Sequence, residues 1–301
     1  MITLLLSILF SVLLLVNFRI FPKFQISTFQ AIAFNYPVCF LTGMLLMPAG
    51  QQFNLDFSKN WTWYCLALGV GFILTFVLSG KATQKIGMTL TSMANNVSLV
   101  IPVLISLFVL KSGSKVFDLI NYTGLVLAIL AVAIATLKTG EKSNQNSSFW
   151  LRGGLALGVF LLYGLTNAAI NYLNLNFIPN PDQVVSVTLV MVLGAVISGL
   201  ILLIIRIING NEKVAVKNIL AGFTLGVPNF LSFYFIILTL THFGNSGAYV
   251  YPIYNIGVIL TSTLVSIVFF KEKLNTLNIV GLILAVVAIF LISWQEILGA
   301  F

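Results

Sequence analysis

The chain has 301 residues, of which 59% are hydrophobic and only 7% are charged, and its formal net charge is +8. Soluble proteins carry about 25% charged residues, so this composition excludes a soluble domain of the same length and indicates a protein that resides in a lipid bilayer. The basic residues lie almost entirely between apolar runs, where they face lipid headgroups, and this placement excludes a nucleic-acid-binding protein.

Ten apolar runs follow one another along the chain, each close to the ~20 residues that cross a bilayer as a helix. Only helices and closed barrels satisfy the backbone in lipid, and these runs are too long and too uniformly apolar for barrel strands. The sequence therefore predicts an all-α polytopic membrane protein with ten transmembrane helices. The predicted spans are residues 2–18, 28–48, 61–80, 87–110, 117–137, 150–172, 184–207, 217–239, 246–270 and 276–294.

An internal repeat is predicted because two charged stretches between apolar runs, residues 109–125 and 268–282, align at an offset of 157. Glycine and asparagine matches at one fixed offset are harder to obtain by chance than apolar matches in a membrane protein. The matched pairs are Gly69 with Gly226, Gly87 with Gly244, Asn121 with Asn278 and Gly124 with Gly281.

The polar linker 138–149 divides the ten spans into a first repeat, residues 1–137, and a second repeat, residues 150–301. Because each repeat holds five spans, an odd number, the two copies must have opposite orientations in the membrane. Inverted repeats of this kind recur in transporters, where two related halves exchange conformations around a site at the bilayer midplane. A duplicated scaffold that transports nothing is the alternative.

Polar side chains inside the apolar spans mark either contacts between helices or a water-filled path. Those of the sixth span recur every four residues and share one helix face, and the fourth, eighth and ninth spans carry further groups. A hydrogen bond between helices explains any single asparagine equally well, but the set favours a central cavity. The predicted solute-binding residues are Asn95, Asn96, Ser98, Tyr163, Asn167, Asn171, Asn229, Ser232, Tyr251, Tyr254 and Asn255.

Three prolines inside the spans are predicted to act as kinks or hinges beside this cavity: Pro102, Pro228 and Pro252. A proline in a helix leaves the carbonyl four residues earlier without its usual donor. In a membrane such a carbonyl is tolerated only where protein, water or a ligand reaches it, which is consistent with a solute cavity. Kinks that serve helix packing alone are the alternative.

The sequence contains no motif for catalysis or nucleotide binding, since it lacks HExxH, a P-loop and a GxSxG turn. We therefore predict no enzyme activity, no catalytic residue, no metal site and no cofactor, so any transport is secondary or facilitated. All seven acidic residues fall at span ends or in loops, which argues against proton-driven export of cations. Glu272, between Lys271 and Lys273, is interpreted as an interfacial charge or a helix cap.

Each half ends in a degenerate pattern of proline, glutamate and glycine. The first half has Pro102 and Gly124, and the second has Glu272 and Gly281. Lys115 stands in place of the glutamate in the first half, and the proline is missing from the second. This pattern resembles the EamA-type branch of the drug/metabolite transporter superfamily. The resemblance is strongest over spans 3–5 and 8–10, and it implies a ten-helix metabolite transporter built from two five-helix halves.

The repeat, the polar set and the resemblance together predict a secondary transporter of small polar or amphipathic metabolites that works by alternating access around a midplane cavity. Its partners would be a small-molecule solute and the lipid bilayer, and it would be a multi-pass protein of the plasma or inner membrane. A non-transporting scaffold or sensor and a passive channel are the alternatives. The substrate, the direction of transport, a coupling ion and the choice between monomer and homodimer stay open.

Lysine and arginine concentrate in the loops that follow odd-numbered spans. The positive-inside rule places these loops in the cytoplasm and both termini outside. The resemblance instead implies that both termini are cytoplasmic. In either orientation the two termini share one side of the membrane.

Overall fold

The computed structural model describes residues 1–47, 51–110, 117–137, 145–177, 184–210, 212–244 and 247–298. Within these ranges every regular element is helical, as the sequence predicts. The helices are α1 (Ile2–Ile20), α2 (Thr28–Leu45), α3 (Asn60–Lys85), α4 (Met88–Val97), α5 (Val100–Ile105), α6 (Leu119–Thr136), α7 (Gln145–Phe177), α8 (Val184–Ile208), α9 (Val216–His242), α10 (Gly247–Phe270), α11 (Thr276–Ile292) and α12 (Trp294–Leu298). A short 3-10 helix, Phe21–Phe24, follows α1, and a π-helical turn, Ser106–Leu110, extends α5.

Among the described residues, eight helices are long and apolar enough to cross a membrane, which makes the chain a multi-pass membrane protein. The predicted second and tenth spans correspond to shorter helices, α2 with 18 residues and α11 with 17. Gln30, Asn35 and Pro37 interrupt the apolar run of α2, and both polar side chains are buried inside the bundle. Lys115 and most of the predicted linker lie outside the described residues, and α7 begins at Gln145.

The helix boundaries of the two sequence halves correspond at the offset of 157. Shifted by this number, α3 would cover residues 217–242 and α6 residues 276–293, close to the observed bounds of α9 and α11. The packing pairs correspond in the same way, since α2 packs on α9 as α8 packs on α3, and α1 packs on α9 as α7 packs on α3. Each buried apolar cluster joins residues of both halves, so the halves interleave.

Helices α6 and α11 pack against each other in opposite directions and exchange two equivalent hydrogen bonds. The Asn121 side-chain amide donates to the Ile292 carbonyl at 2.9 Å, at the end of α11. The Asn278 side-chain amide donates to the Ala135 carbonyl, at the end of α6. Both members of this pair are related by the same offset of 157, so the two ends of the helix pair are joined in the same way.

Two glycines let the backbones of α6 and α11 approach closely. A Cβ atom on Gly124 would lie 2.8 Å from the Ile292 nitrogen, and one on Gly281 would lie 2.6 Å from the Ala135 Cβ. Distances this short do not occur at real Cβ atoms, so any larger residue would push the two helices apart. Small residues at helix contacts are the usual means of close packing in membranes.

Contacts between helix ends define two sides of the bundle. On the first, the Thr239 hydroxyl of α9 donates to the Thr3 hydroxyl of α1 at 2.9 Å, and we call this end the Met1 side. On the second, Glu272 beyond the end of α10 contacts the backbone of Met88 at the start of α4, and we call this end the Glu272 side. Most basic residues that the structure describes lie near the Glu272 side.

Candidate functional site

A cavity of about 630 Å³ lies between helices of both sequence halves, and ten of the eleven predicted solute-binding residues line it. The side chains come from α4, α7, α9 and α10, the four helices on which the sequence placed polar groups. The predicted residues in its wall are Asn95, Asn96, Tyr163, Asn167, Asn171, Asn229, Ser232, Tyr251, Tyr254 and Asn255, together with Pro102 and Pro252.

Ser98 and Pro228 are the predicted residues that the structure leaves outside the cavity wall. Ser98 is fully buried, and its hydroxyl donates to the Asn95 carbonyl of its own helix at 2.5 Å. Pro228 lies inside the continuous helix α9, directly before Asn229. The helix that contains Pro102 is broken between α4 and α5, at Ser98. Pro102 cannot donate to the Ser98 carbonyl, which accepts from the Ile101 backbone N–H at 3.0 Å instead.

One face of α7 supplies a polar stripe to the cavity, as its four-residue spacing predicts. Tyr163, Asn167 and Asn171 all reach the wall. Asn167 is exposed, and Asn171 donates to the Ser106 hydroxyl at 2.9 Å. That hydrogen bond ties α7 to the π-helical turn after α5, an element that often marks functional sites.

Three asparagines of the cavity wall keep their side-chain amides free. Among the described residues, Asn95, Asn167 and Asn255 have no side-chain hydrogen-bond partner, whereas Asn96 donates to the Ser92 carbonyl at 2.7 Å. Polar groups inside a protein are normally paired with protein or water. The three free amides approach from α4, α7 and α10, so they are available to a solute from three directions.

Helix α1 contributes polar groups that the sequence analysis did not single out. The Ser11 hydroxyl lines the cavity and lies 2.6 Å from the Tyr254 hydroxyl. One turn earlier, the Ser7 hydroxyl donates to the Ser232 carbonyl at 2.7 Å. The signal was present, because two serines four residues apart in an apolar run share one helix face. The uniform hydropathy of the first span concealed it.

Phenylalanine rings close the cavity toward the Glu272 side. Phe18 and Phe76 line its inner end with their ring centroids 5.9 Å apart in an edge-to-face arrangement. Beyond them, the Gln84 side chain donates to the Phe18 carbonyl at 3.1 Å and to the Thr28 hydroxyl at 2.7 Å. At the opposite end, Tyr251 in the first turns of α10 is 47% exposed, so the cavity opens toward the Met1 side.

The chemistry of the wall is polar but uncharged. The lining residues that the structure describes include no acidic or basic side chain, and the described part of the chain holds no group of three metal-binding side chains. Amides, phenols and hydroxyls can each donate and accept hydrogen bonds, and aromatic and aliphatic side chains fill the rest of the wall. Such a wall suits an uncharged solute with both polar and apolar surfaces.

Known proteins give independent information on this chain. It is 27% identical over 300 residues to an uncharacterized protein of Haemophilus influenzae, covering 96% of this chain and 97% of that relative. A protein of known crystal structure shares the fold, with a TM-score of 0.60 over 96% of both chains at 12% identity. The EamA-type resemblance of the sequence motifs stays a prediction. The family model described as sugar transport protein matches residues 50–295, and the chain belongs to this family of membrane transporters.

Proposed function

We propose that this chain is a secondary transporter of small, uncharged solutes that carry several hydroxyl groups. It would span the membrane ten times, as two inverted five-helix halves of the EamA type. The observation that carries the proposal is the cavity, whose volume of about 630 Å³ falls in the range of small-molecule sites. Its wall offers six asparagine amides and, within the described residues, no charge.

The free amides favour a solute rich in hydroxyl groups over other uncharged solutes. Asn95, Asn167 and Asn255 present donors and acceptors that no described side chain or backbone group satisfies. A sugar-like ring carries hydroxyl groups on its edge and C–H groups on its faces, and the rings of Phe18 and Phe76 supply apolar contact at the inner end of the cavity. A charged solute would lose its hydration without gaining a counter-ion, which is strongly unfavourable.

Alternating access is supported by the correspondence between the two halves. The cavity is open at the Met1 side and closed at the Glu272 side by Phe18, Phe76 and Gln84. Because helix bounds and packing pairs repeat at the offset of 157, the halves could exchange conformations and open the opposite side. The concentration of basic residues on the Glu272 side favours a cytoplasmic location for that side.

The binding experiment is a thermal-shift measurement on the detergent-solubilised protein with neutral hexoses, hexuronic acids and hexose phosphates. A solute at 100 times its dissociation constant should add about 2.7 kcal/mol to the free energy of unfolding. We expect stabilisation by neutral sugars alone, and we expect Asn167→Ala and Asn255→Ala each to reduce it by about 0.5–1.5 kcal/mol at the same sugar concentration, the net contribution of one neutral hydrogen bond. Asn176→Ala is the matched control, because Asn176 lies on the same helix but donates to the Tyr172 carbonyl away from the cavity.

Transport itself is measured as uptake of the stabilising sugar into proteoliposomes. Saturable uptake that needs a higher sugar concentration for half-saturation in Asn255→Ala would support the transporter. Flux that rises linearly with concentration would indicate a channel instead. Absence of both binding and uptake, over the whole sugar panel, would leave the scaffold alternative and would contradict the proposed function.

A further inference from the structure

Several buried hydroxyl groups without hydrogen-bond partners lie between the floor of the cavity and the Glu272 side. Among the described residues, five hydroxyls are buried and make no hydrogen bond, those of Tyr36, Ser79, Thr83, Thr89 and Thr263. All five side chains are at most 6% exposed. Unpaired buried hydroxyls destabilise a folded protein. A group of them on one side of a membrane protein is explained if they form hydrogen bonds in another conformation.

These hydroxyls begin where the cavity ends. Ser79 lies beside the phenol of Tyr163, a cavity residue, but does not reach hydrogen-bonding geometry with it. Phe76, Ser79 and Thr83 are three and four residues apart on α3, so they follow one face of this helix from the floor of the cavity toward the Glu272 side. Thr89 lies in the first turn of α4, on the same side.

The repeat places Ser79, together with Ser98, on a path by a separate argument. At the offset of 157, Ser79 corresponds to Ile236 and Ser98 corresponds to Asn255. Ile236 and Asn255 line the open cavity, whereas Ser79 and Ser98 are fully buried. If two inverted halves exchange conformations, the partners of the present lining residues line the opening on the other side.

We propose that Ser79, Ser98, Thr83 and Thr89 line the second half of the solute path, which is closed in this structure and opens toward the Glu272 side. In the open state their hydroxyls would hydrogen-bond water and the same class of uncharged, hydroxyl-rich solute. This assignment rests on the proposed function, since it requires the two halves to exchange conformations. The assignment places Ser98 in the solute path, although Ser98 lies outside the cavity that is open in this structure.

The test uses single cysteines in a protein whose two natural cysteines, Cys39 and Cys65, are replaced by alanine. A charged methanethiosulfonate is added to either face of vesicles that contain the protein. We expect Asn255→Cys to react from the Met1 side and Ser79→Cys to react only from the Glu272 side. If the second opening is a minor state of ~0.1–10%, labelling of Ser79→Cys should be about 10- to 1,000-fold slower than that of Asn255→Cys.

Ser262→Cys is the matched control for a buried serine that is not on the path. Ser262 is 0% exposed, and its hydroxyl donates to the Ile259 carbonyl at 3.0 Å. The outcome is read together with sugar uptake by the protein without introduced cysteines. If that protein takes up sugar but Ser79→Cys and Thr89→Cys are as unreactive as Ser262→Cys, the assignment is wrong and the proposed function stands. If Asn255→Cys is also unreactive and the protein without introduced cysteines takes up no sugar, both the assignment and the proposed function are wrong.

A second measurement does not depend on thiol chemistry. Thr83→Val replaces an unpaired hydroxyl by a methyl group of the same shape. It should raise Tm, because the closed state no longer buries an unpaired polar group. It should also slow sugar uptake, because the second opening loses a polar group that faces water and solute. Thr62→Val on the same helix is the control, since the Thr62 hydroxyl donates to the Asp56 carbonyl at 2.6 Å, and its loss should lower Tm. A fall in Tm for Thr83→Val equal to that of Thr62→Val would overturn the assignment.

Discussion

The Glu272 carboxylate accepts a hydrogen bond from the backbone N–H of Met88 at 3.1 Å and so caps a helix of the opposite sequence half. The Ser266 hydroxyl donates to the same carboxylate oxygen. Helix α4 has no capping side chain of its own, because it begins after Gly87, whose φ is +99°. A Cβ atom on Gly87 would lie 2.3 Å from the Glu272 carboxylate, so the glycine makes room for the distant cap.

Glu272→Ala should lower the free energy of unfolding by about 0.5–2 kcal/mol, the usual effect of removing an N-cap. A negative charge is also favoured at a helix N-terminus, so Glu272→Gln, which keeps an acceptor oxygen, should lose less. The measurement is thermal unfolding in detergent, followed by tryptophan fluorescence. Lys273→Ala, at an exposed neighbouring position, is the control, and equal Tm values for it and Glu272→Ala would contradict the capping role.

The contact between Glu272 and Met88 separates the features of the fold that the sequence predicted from those that it did not. Hydropathy located the helices, and the charged turn around Glu272 was interpreted correctly as an interfacial charge or cap. The identity of the capped helix was out of reach, since Met88 is 184 residues away in the chain. Contacts at such separations depend on how the two halves interleave, which periodicity alone does not encode.

The sequence predicted most of the polar residues of the candidate cavity but not its whole wall. Asparagine and tyrosine inside apolar spans are rare enough to stand out, and nine of these side chains converge, together with Ser232. Ser11 and Phe18 of α1 were missed, because neither serine nor phenylalanine is unusual in an apolar helix. Ser98 was predicted to face the cavity from its position on a helical face, but the helix breaks at this residue and turns its hydroxyl toward the Asn95 carbonyl.

Removal of either asparagine that joins α6 to α11 should weaken the protein by about 1–3 kcal/mol, because paired carbonyls lose their donors. Asn121 bonds the Ile292 carbonyl and also accepts from the backbone of Asp118, and Asn278 makes the equivalent contacts. The two sites lie at opposite ends of the helix pair, so Asn121→Ala and Asn278→Ala should be additive within about 0.5 kcal/mol. Thermal unfolding of both single variants and the double variant tests this.

The control for the asparagine pair is Thr123→Ala. Its hydroxyl is on the surface of α6 and donates only to the Ile120 carbonyl of its own helix, so its loss should change the free energy of unfolding by less than about 0.5 kcal/mol. A change for Asn121→Ala no larger than this control would show that the contacts between α6 and α11 contribute little to stability.

Gly281→Ala should destabilise the protein although alanine favours helices. The new Cβ atom would lie 2.6 Å from the Ala135 Cβ and 2.8 Å from the Ala131 carbonyl, and the resulting separation of α6 from α11 should cost about 1–3 kcal/mol. Gly153→Ala is the matched control, since nothing lies within 4 Å of its added Cβ. That variant should gain about 0.5–1 kcal/mol from helix propensity, and opposite Tm shifts for the two variants are the expected result.

Acid should weaken the contact between α6 and α12 through Asp118, which precedes the membrane-spanning part of α6. Desolvation alone would raise the pKa of this carboxyl, but hydrogen bonds from Asn121, Trp294, Gln295 and Ile120 outweigh it and hold the pKa below its usual value of 3.8. A lowered folded-state pKa stabilises the protein above the unfolded pKa, and this contribution is lost as the pH falls through the folded pKa. The stabilisation is therefore present at neutral pH and lost below about pH 4.

Asp118→Asn tests this expectation, because it removes the titrating group and keeps one acceptor oxygen. The quantity to measure is the difference in Tm between the wild type and the variant at about pH 6 and about pH 3. The wild type should be the more stable protein at the higher pH, and the difference should shrink at the lower pH. A difference that is the same at both values would show that the Asp118 carboxylate does not stabilise the fold.

Asn255→Ala and Asn171→Ala should separate solute binding from protein stability. The Asn255 amide has no partner among the described residues, so its removal should leave Tm without solute within the ~0.5 kcal/mol of a neutral substitution. It should still weaken binding of a neutral hexose by about 2- to 13-fold, the equivalent of one neutral hydrogen bond of 0.5–1.5 kcal/mol. Asn171→Ala should lower both the Tm without solute and the affinity for hexose, because this amide also donates to the Ser106 hydroxyl at 2.9 Å. Thermal unfolding with and without hexose measures both effects, and a loss of Tm in solute-free Asn255→Ala as large as that in Asn171→Ala would mean that Asn255 supports the fold and not the solute.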